Sequence, residues 1–360
     1  MKNANQIKFN PSGKLIIMQV SDPQDMKYVR PAMVKMLNNA YDAVKPDLVL
    51  FTGDNILGNH LLDARIGNRQ IASGKEATLK VMRESIDNIA APLQRRGIPF
   101  AMIYGNHDDR NLVGKDEQAD IFRSYSCCLP MNTDDPTVDC DWYDKAQDKC
   151  YERIKPETVE WFRRTSSSLT AENGGSPIPS LMFLHIPLPE TLELFEKCPT
   201  GEGAVFKSHD GSYYRFKPGC GSGSLGELPA VLEDGAGLFD AALECGGVKA
   251  IVTGHDHVNC FEGSYKGIDF VQTACASFRC YGNELRGVRV FEINEADPSD
   301  YLTYSLTYSD LCGRGIGSKL RYIWDADGSG KEKAALIAGA AAGAAALTAS
   351  VIKAVGKLRK

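Results

Sequence analysis

Ala250-Ile-Val-Thr-Gly-His-Asp-His257 and Phe100-Ala-Met-Ile-Tyr-Gly-Asn-His-Asp108 are built alike: a short apolar run of strand character stops abruptly at a glycine, and metal-seeking side chains follow at once. The same break recurs after Leu15–Val20 at Ser21-Asp22, after Leu48–Phe51 at Thr52-Gly-Asp-Asn55, and after Leu181–Leu184 at His185. Runs this short, bounded by turn residues, read as buried strands. Between them lie helical patterns, with Met33, Met36, Leu37, Ala40 and Val44 on one face of 31–44 and Leu79, Met82, Ile86, Ile89 and Leu93 on one face of 77–93. Strand, polar loop and helix in alternation predict a layered α/β fold with its site at the carboxyl ends of strands.

Four of the six histidines, His107, His185, His255 and His257, fall at these breaks. Imidazole, carboxylate and side-chain amide oxygen together suit first-row ions such as Mn, Fe or Zn, better than a thiolate site or an all-oxygen calcium site. The pair in Gly254-His-Asp-His257 can face two ions bracketing one position. In Gly105-Asn-His-Asp108, Asn106 offers an amide oxygen, His107 can stay unligated as a proton donor, and Asp108 can orient its ring. Gly53-Asp54 and His185 are each weak alone, as a common turn and an ordinary core histidine. Their weight comes from their order in the chain.

Asp22, Gly53-Asp54, Gly105-Asn106-His107-Asp108, His185 and Gly254-His255-x-His257 appear in the order of the five blocks of the calcineurin-like metallophosphoesterases, which the sequence resembles over most of residues 14–292. Glu160-Trp-Phe162, His185-Ile-Pro-Leu-Pro-Glu190 and Gly254-His-Asp-His-Val-Asn-Cys-Phe261 are similar to the branch of fungal Dcr2-type phosphatases and small plant purple acid phosphatase-like proteins. The resemblance implies two mixed β-sheets packed as a sandwich and flanked by helices. It also implies a two-metal centre in which Asp54 is shared, Asp22 and His257 complete one position, and Asn106, His185 and His255 complete the other. A metal-bridging hydroxide would attack a phosphate ester while His107 protonates the leaving group, most simply in a phosphomonoesterase. Gln24 stands where the first block usually carries a histidine ligand, so its amide is the substitute ligand to test. The tyrosine expected three residues after Asp54 in coloured purple acid phosphatases is missing, which excludes that chromophore. Arg110, His60, Asn259 and His209 are candidates for the substrate phosphate. A phosphodiesterase or nuclease on the same centre, or a non-catalytic metal-binding scaffold, are the competing readings.

The rest of the chain bounds these expectations. A net charge of −5 with mixed signs gives no basic stripe for a polyanion, so a nucleic-acid partner is not favoured. Eleven cysteines without a Cys-x-x-Cys pair, behind a polar start and a first apolar run too short for an export signal, point to a reducing, cytoplasmic setting. Residues 1–300 are expected to form the catalytic domain, with 108–155 and 198–237 as irregular insertions near the site and 301–330 as an extension and linker. Asp325-Ala-Asp-Gly-Ser-Gly330 opens like a calcium loop, but Leu336 occupies the position that needs a bidentate Glu. Residues 334–352 are uncharged between lysines; a membrane-embedded tail and an Ala-rich soluble or interfacial helix both stay open.

Overall fold

In the computed structural model, which describes residues 7–25, 29–57, 74–108, 112–129 and 154–340, the apolar runs do form the strands expected of them. β1 (Lys14–Val20), β2 (Leu48–Thr52) and β3 (Phe100–Ile103) pair in parallel; β12 (Gly287–Asn294) and β13 (Asp297–Thr307) extend the sheet on the other side in the order β13-β12-β1-β2-β3. β4 (Ser180–Phe183), β9 (Val248–Thr253), β11 (Ile268–Gln272), β10 (Cys260–Tyr265) and β8 (Gly221–Ser224) make the second sheet in that order. Both sheets are mixed, as the resemblance implied.

Period-two alternation sorts each strand between two cores. Ile17, Ala250, Val252, Val271 and Phe291 meet between the sheets, with Leu48, Leu50 and Phe183 packed against them. Met18, Val20, Val49 and Phe51 point the other way, onto α1 (Pro31–Val44), α2 (Lys75–Arg96) and α3 (Lys115–Arg123). Ile251 and Phe270 face α4 (Pro156–Glu172) and α5 (Leu238–Cys245) through Val159, Phe239 and Ala242. Helices therefore cover both outer faces of a two-sheet sandwich, and β1 to β4 and β9 all end at the edge where the polar clusters begin.

Three expectations change. Residues 198–237 are not irregular throughout: β6 (Phe206–Lys207) and β7 (Tyr213–Phe216) join β5 (Phe195–Lys197) in a three-stranded sheet, and β8 belongs to the second large sheet. Within 108–155, α3 buries Ile121 and Phe122 in the main core, while 130–153 lie outside the described residues. Residues 301–330 are packed structure, since β13 runs through position 300 and is followed by α6 (Tyr308–Cys312) and α7 (Ile316–Asp325), with Tyr308 and Ala326 buried against α1. Among the described residues no helix is long and apolar enough to cross a membrane; 330–340 are helical and 341–352 lie outside the described residues.

The acidic stretch that opens like a calcium loop does different work. Asp325 Oδ2 accepts the Ala32 N–H at 2.7 Å, in the first turn of α1, where Arg30 at the cap position supplies no side-chain acceptor. It is a helix cap delivered from 293 residues away. Asp325→Ala is expected to cost about 1 kcal/mol, the usual worth of such a cap. The check is a lower urea midpoint at unchanged slope; an unshifted midpoint would remove the cap from the account.

Candidate metal centre

The five strand ends converge so closely that there is no room for side chains at the turns. A Cβ on Gly53 would lie 2.5 Å from His185 Nδ1, one on Gly105 2.3 Å from Asp54 Oδ1, and one on Gly254 1.8 Å from Ser21 Oγ and 2.8 Å from Asp22 Oδ2. Each of these glycines precedes a candidate ligand and touches another. Asp22, Asp54 and His255 themselves adopt positive φ, at 49°, 48° and 71°. Non-glycine residues hold such conformations where the surroundings impose them, commonly at functional sites.

His185 is completely buried, and its Nδ1–H donates to the Thr52 carbonyl at 2.9 Å, since a carbonyl can only accept. Nε2 is thereby left for the centre, where it meets acceptors alone: Asn106 Oδ1 at 3.1 Å, Asp54 Oδ1 at 3.4 Å and Asp22 Oδ1 at 4.0 Å. Only a proton or a metal cation can sit among them. Burial opposes a charge on the ring, yet Asp54 and Asp22 outweigh it and push His185 up to about 9. A metal cation held here would take the place of that proton. His257 is fixed in the same way, with Nδ1–H donated to the Tyr281 carbonyl at 2.9 Å, and its Nε2 is turned to Asp22 Oδ1 at 3.5 Å and to the Gln24 amide nitrogen at 3.0 Å. Backbone carbonyls fixing the far nitrogen are the usual partners of ligating imidazoles. His255 stands edge-on to His185, with ring centroids 5.1 Å apart.

Asp22, Asp54 and His185 present ligand atoms all within 4.8 Å of one another. Asp22 Oδ1 and Gln24 Oε1 are buried with no hydrogen-bond partner, the condition a cation would relieve. Burial alone would raise Asp54, but the charges of His185 and His107 hold its carboxyl far below the ordinary range. The residue set fits a metal centre.

The profile of calcineurin-like phosphoesterases matches residues 15–259. The chain belongs to this family. It is a metallophosphoesterase, a hydrolase of phosphoric ester bonds, and the family's members use a dinuclear metal centre. The chain is 25% identical over 346 residues to "Probable inactive purple acid phosphatase 14" of Arabidopsis thaliana, covering 80% of this chain and 77% of that one. It is 25% identical over 201 residues to "Phosphatase DCR2" of Saccharomyces cerevisiae, covering 48% of this chain and 32% of that one. A dimetal phosphatase of Danio rerio superposes with a TM-score of 0.42 at 12% identity, covering 82% of this chain and 99% of that one.

Within this metallophosphoesterase centre the other expected residues take varied places. His107 lies at the rim, its side chain 25% exposed, with Nε2 3.8 Å from Asp54 Oδ2 and its backbone N–H donated to Asp54 Oδ1 at 2.8 Å. Asp108 accepts from five donors: Oδ1 from the Asn55 and Ile56 N–H groups and the Gln118 amide, Oδ2 from the Gly105 N–H and the Asn55 amide. Through these bonds it ties the Asp54 loop to the Asn106 loop. Burial and the Asp54 charge push it up to about 7.

Asn259 is not placed to meet substrate. It is fully buried, its Oδ1 accepting from Gly226 and Glu227 N–H and its Nδ2 donating to Asp256. His209 is exposed in the turn between β6 and β7, and no described hydrogen bond or ion pair joins it to the ligand set. His60 and Arg110 lie outside the described residues. Sequence reading missed Tyr281, whose ring stacks on His257 at 4.3 Å and 14° while its carbonyl fixes that imidazole. It also missed Asp25, which pairs with Arg279 and accepts the Arg30 N–H at 2.7 Å, holding the loop beyond Gln24. Asp25 and Arg279 are 254 residues apart and carry no local motif.

Proposed function

We propose that the protein hydrolyses phosphate monoesters, with His107 delivering the proton that the leaving oxygen requires. The position of His107 carries this reading: it is the rim histidine of a cluster in which His185 and His257 are fixed by backbone carbonyls, and it is held beside Asp54 by its own backbone N–H. Asp54 would be shared, with Asn106, His185 and His255 on one side and Asp22, His257 and Gln24 on the other. When bound, two ions of Mn, Fe or Zn character supply an activated water at neutral pH and neutralise charge on the phosphoryl oxygens. The protein's part is to hold carboxylates and imidazoles on rigid strand ends, in fixed tautomers, so that little reorganisation remains at reaction.

His107→Asn is expected to retain its metal content and lose about 10²–10⁴ in turnover of an alkyl phosphate, with a much smaller loss on an aryl phosphate whose leaving group needs no proton. Equal losses on the two esters would sink the general-acid role.

The monoester assignment is tested by comparing an aryl monophosphate with a bis-aryl phosphate in the presence of Mn, Zn and Fe. Faster diester cleavage would move the protein to the phosphodiesterase class. A non-catalytic reading has specific support in the Arabidopsis relative, whose name calls it probably inactive, and in Gln24. Bound metal without hydrolysis of either ester would establish it.

A further inference from the structure

The two halves of the centre are not equivalent in donor chemistry. Around Asp54, one position draws on two imidazoles, His185 and His255, and the Asn106 amide oxygen. Its partner draws on the Asp22 carboxylate, a single imidazole and the side chain of Gln24. The Gln24 side chain, 1% exposed, stands on the atoms the partner ion would need: its Nε2 is 3.0 Å from His257 Nε2 and 3.4 Å from Asp54 Oδ2. Its Oε1 is buried and without a hydrogen-bond partner, as is Asp22 Oδ1. The backbone of the residue is held, because its carbonyl accepts from Ser277 Oγ at 2.6 Å, so any adjustment falls to the side chain.

We propose that Gln24 acts as a resident plug of the partner metal position, so that the centre holds one ion tightly and the second only when free metal is plentiful, with preference for a hard, oxygen-seeking ion such as Mn or Mg. The proposal rests on the metallophosphoesterase reading and adds a form of control to it. In the resting state the inward amide N–H groups satisfy the lone pairs of His257 and Asp54, and the orphaned Oε1 is the cost. Rotation of the amide about its terminal torsion, a soft sp³–sp² rotation, would present Oε1 in place of Nε2. Oε1 would then be one more oxygen in a donor set already holding the Asp22 and Asp54 carboxylates. Hard ions take oxygen donors, and imidazole suits Zn and Fe, so the two positions select different metals. Binding at the partner position must displace two hydrogen bonds and gains only a neutral amide oxygen, where an imidazole would be the stronger donor.

The test is the metal stoichiometry of the full chain after gel filtration in metal-free buffer, read by elemental analysis, followed by calorimetric titration with Mn²⁺. Wild type is expected to retain one ion and to take up a second with a dissociation constant at least about tenfold weaker than that of Gln24→His. Both Gln24→His and Gln24→Glu should retain two ions, the second variant guarding against a fold that rejects the imidazole. Two ions retained by wild type, or one ion retained by both variants, overturns the proposal and leaves the phosphoesterase assignment standing. Retention of none by any of the three proteins overturns both.

Discussion

Asp54→Asn is expected to abolish metal retention and to reduce phosphoester hydrolysis by at least about 10³-fold, since a single electrostatic donor is already worth about 10²–10³ in rate. The substitution is nearly isosteric, so the effect comes from charge and lone pairs. Asp54 Oδ1 accepts the His107 N–H at 2.8 Å, and an asparagine must place its carbonyl oxygen there to keep that bond. Its amino group then replaces Oδ2, the oxygen that faces His107 Nε2 and the Gln24 amide. A donor stands where a cation was to be bound, and the His185 ring loses the larger of the two charges that raise it. The metal-free variant should keep the circular dichroism of the parent. What it should lose is the rise in melting temperature that added metal gives a protein binding it only when folded. Undiminished metal content would remove Asp54 from the shared position.

Gly105→Ala is expected to damage the centre from the backbone side. Gly105 does not have positive φ, so an alanine is conformationally acceptable there, and the objection is one of space. The new Cβ would fall 2.3 Å from Asp54 Oδ1, 2.4 Å from its backbone nitrogen and 2.7 Å from His185 Nε2. Overpacking of that kind costs about 1–3 kcal/mol, and the atoms that must yield are two ligands. Loss of metal retention should accompany the loss of stability. Gly97, with φ +66° and open space within 4 Å of where a Cβ would stand, is the control. Its alanine variant should lose about 1 kcal/mol through backbone conformation alone and keep its metal content. Equal metal retention in the two variants would show that the crowding at Gly105 is tolerated.

What could be read beforehand follows from how local the signal is. Strand ends are marked where they occur, by an apolar run, a glycine and a polar ligand, and so Asp22, Asp54, Asn106, His185, His255 and His257 stand together in space as their motifs implied. The helix over 31–44 has an unbroken apolar face and coincides with α1. The reading weakens where a residue's partner is remote. Asp108 sits beside His107 in sequence, yet its five donors include Asn55, Ile56 and Gln118. Asn259 follows the Gly-His-Asp-His turn by two residues and is absorbed by the loop at 226–227. Asp325 lies in a string that imitates a calcium loop and instead completes a helix near the other terminus. Short β6, β7 and β8 escaped because Lys207, Arg215 and the Gly-Ser repeat of 221–224 deny them the uninterrupted apolar run that marks β3.

The pairing of β1 has a consequence for the order in which the molecule is made. Its register with β12 sets Lys14 opposite Asn294 and Gln19 opposite Arg289, while its other edge takes β2. The strand that leads to Asp22 thus has one neighbour made soon after it and the other, as from Gln19 to Arg289, only 270 residues later. Until then the first sheet has an open apolar edge. Long-range pairing of this kind is slow and leaves edges exposed to other chains. A nascent chain stalled before β12 is the species expected to need a chaperone.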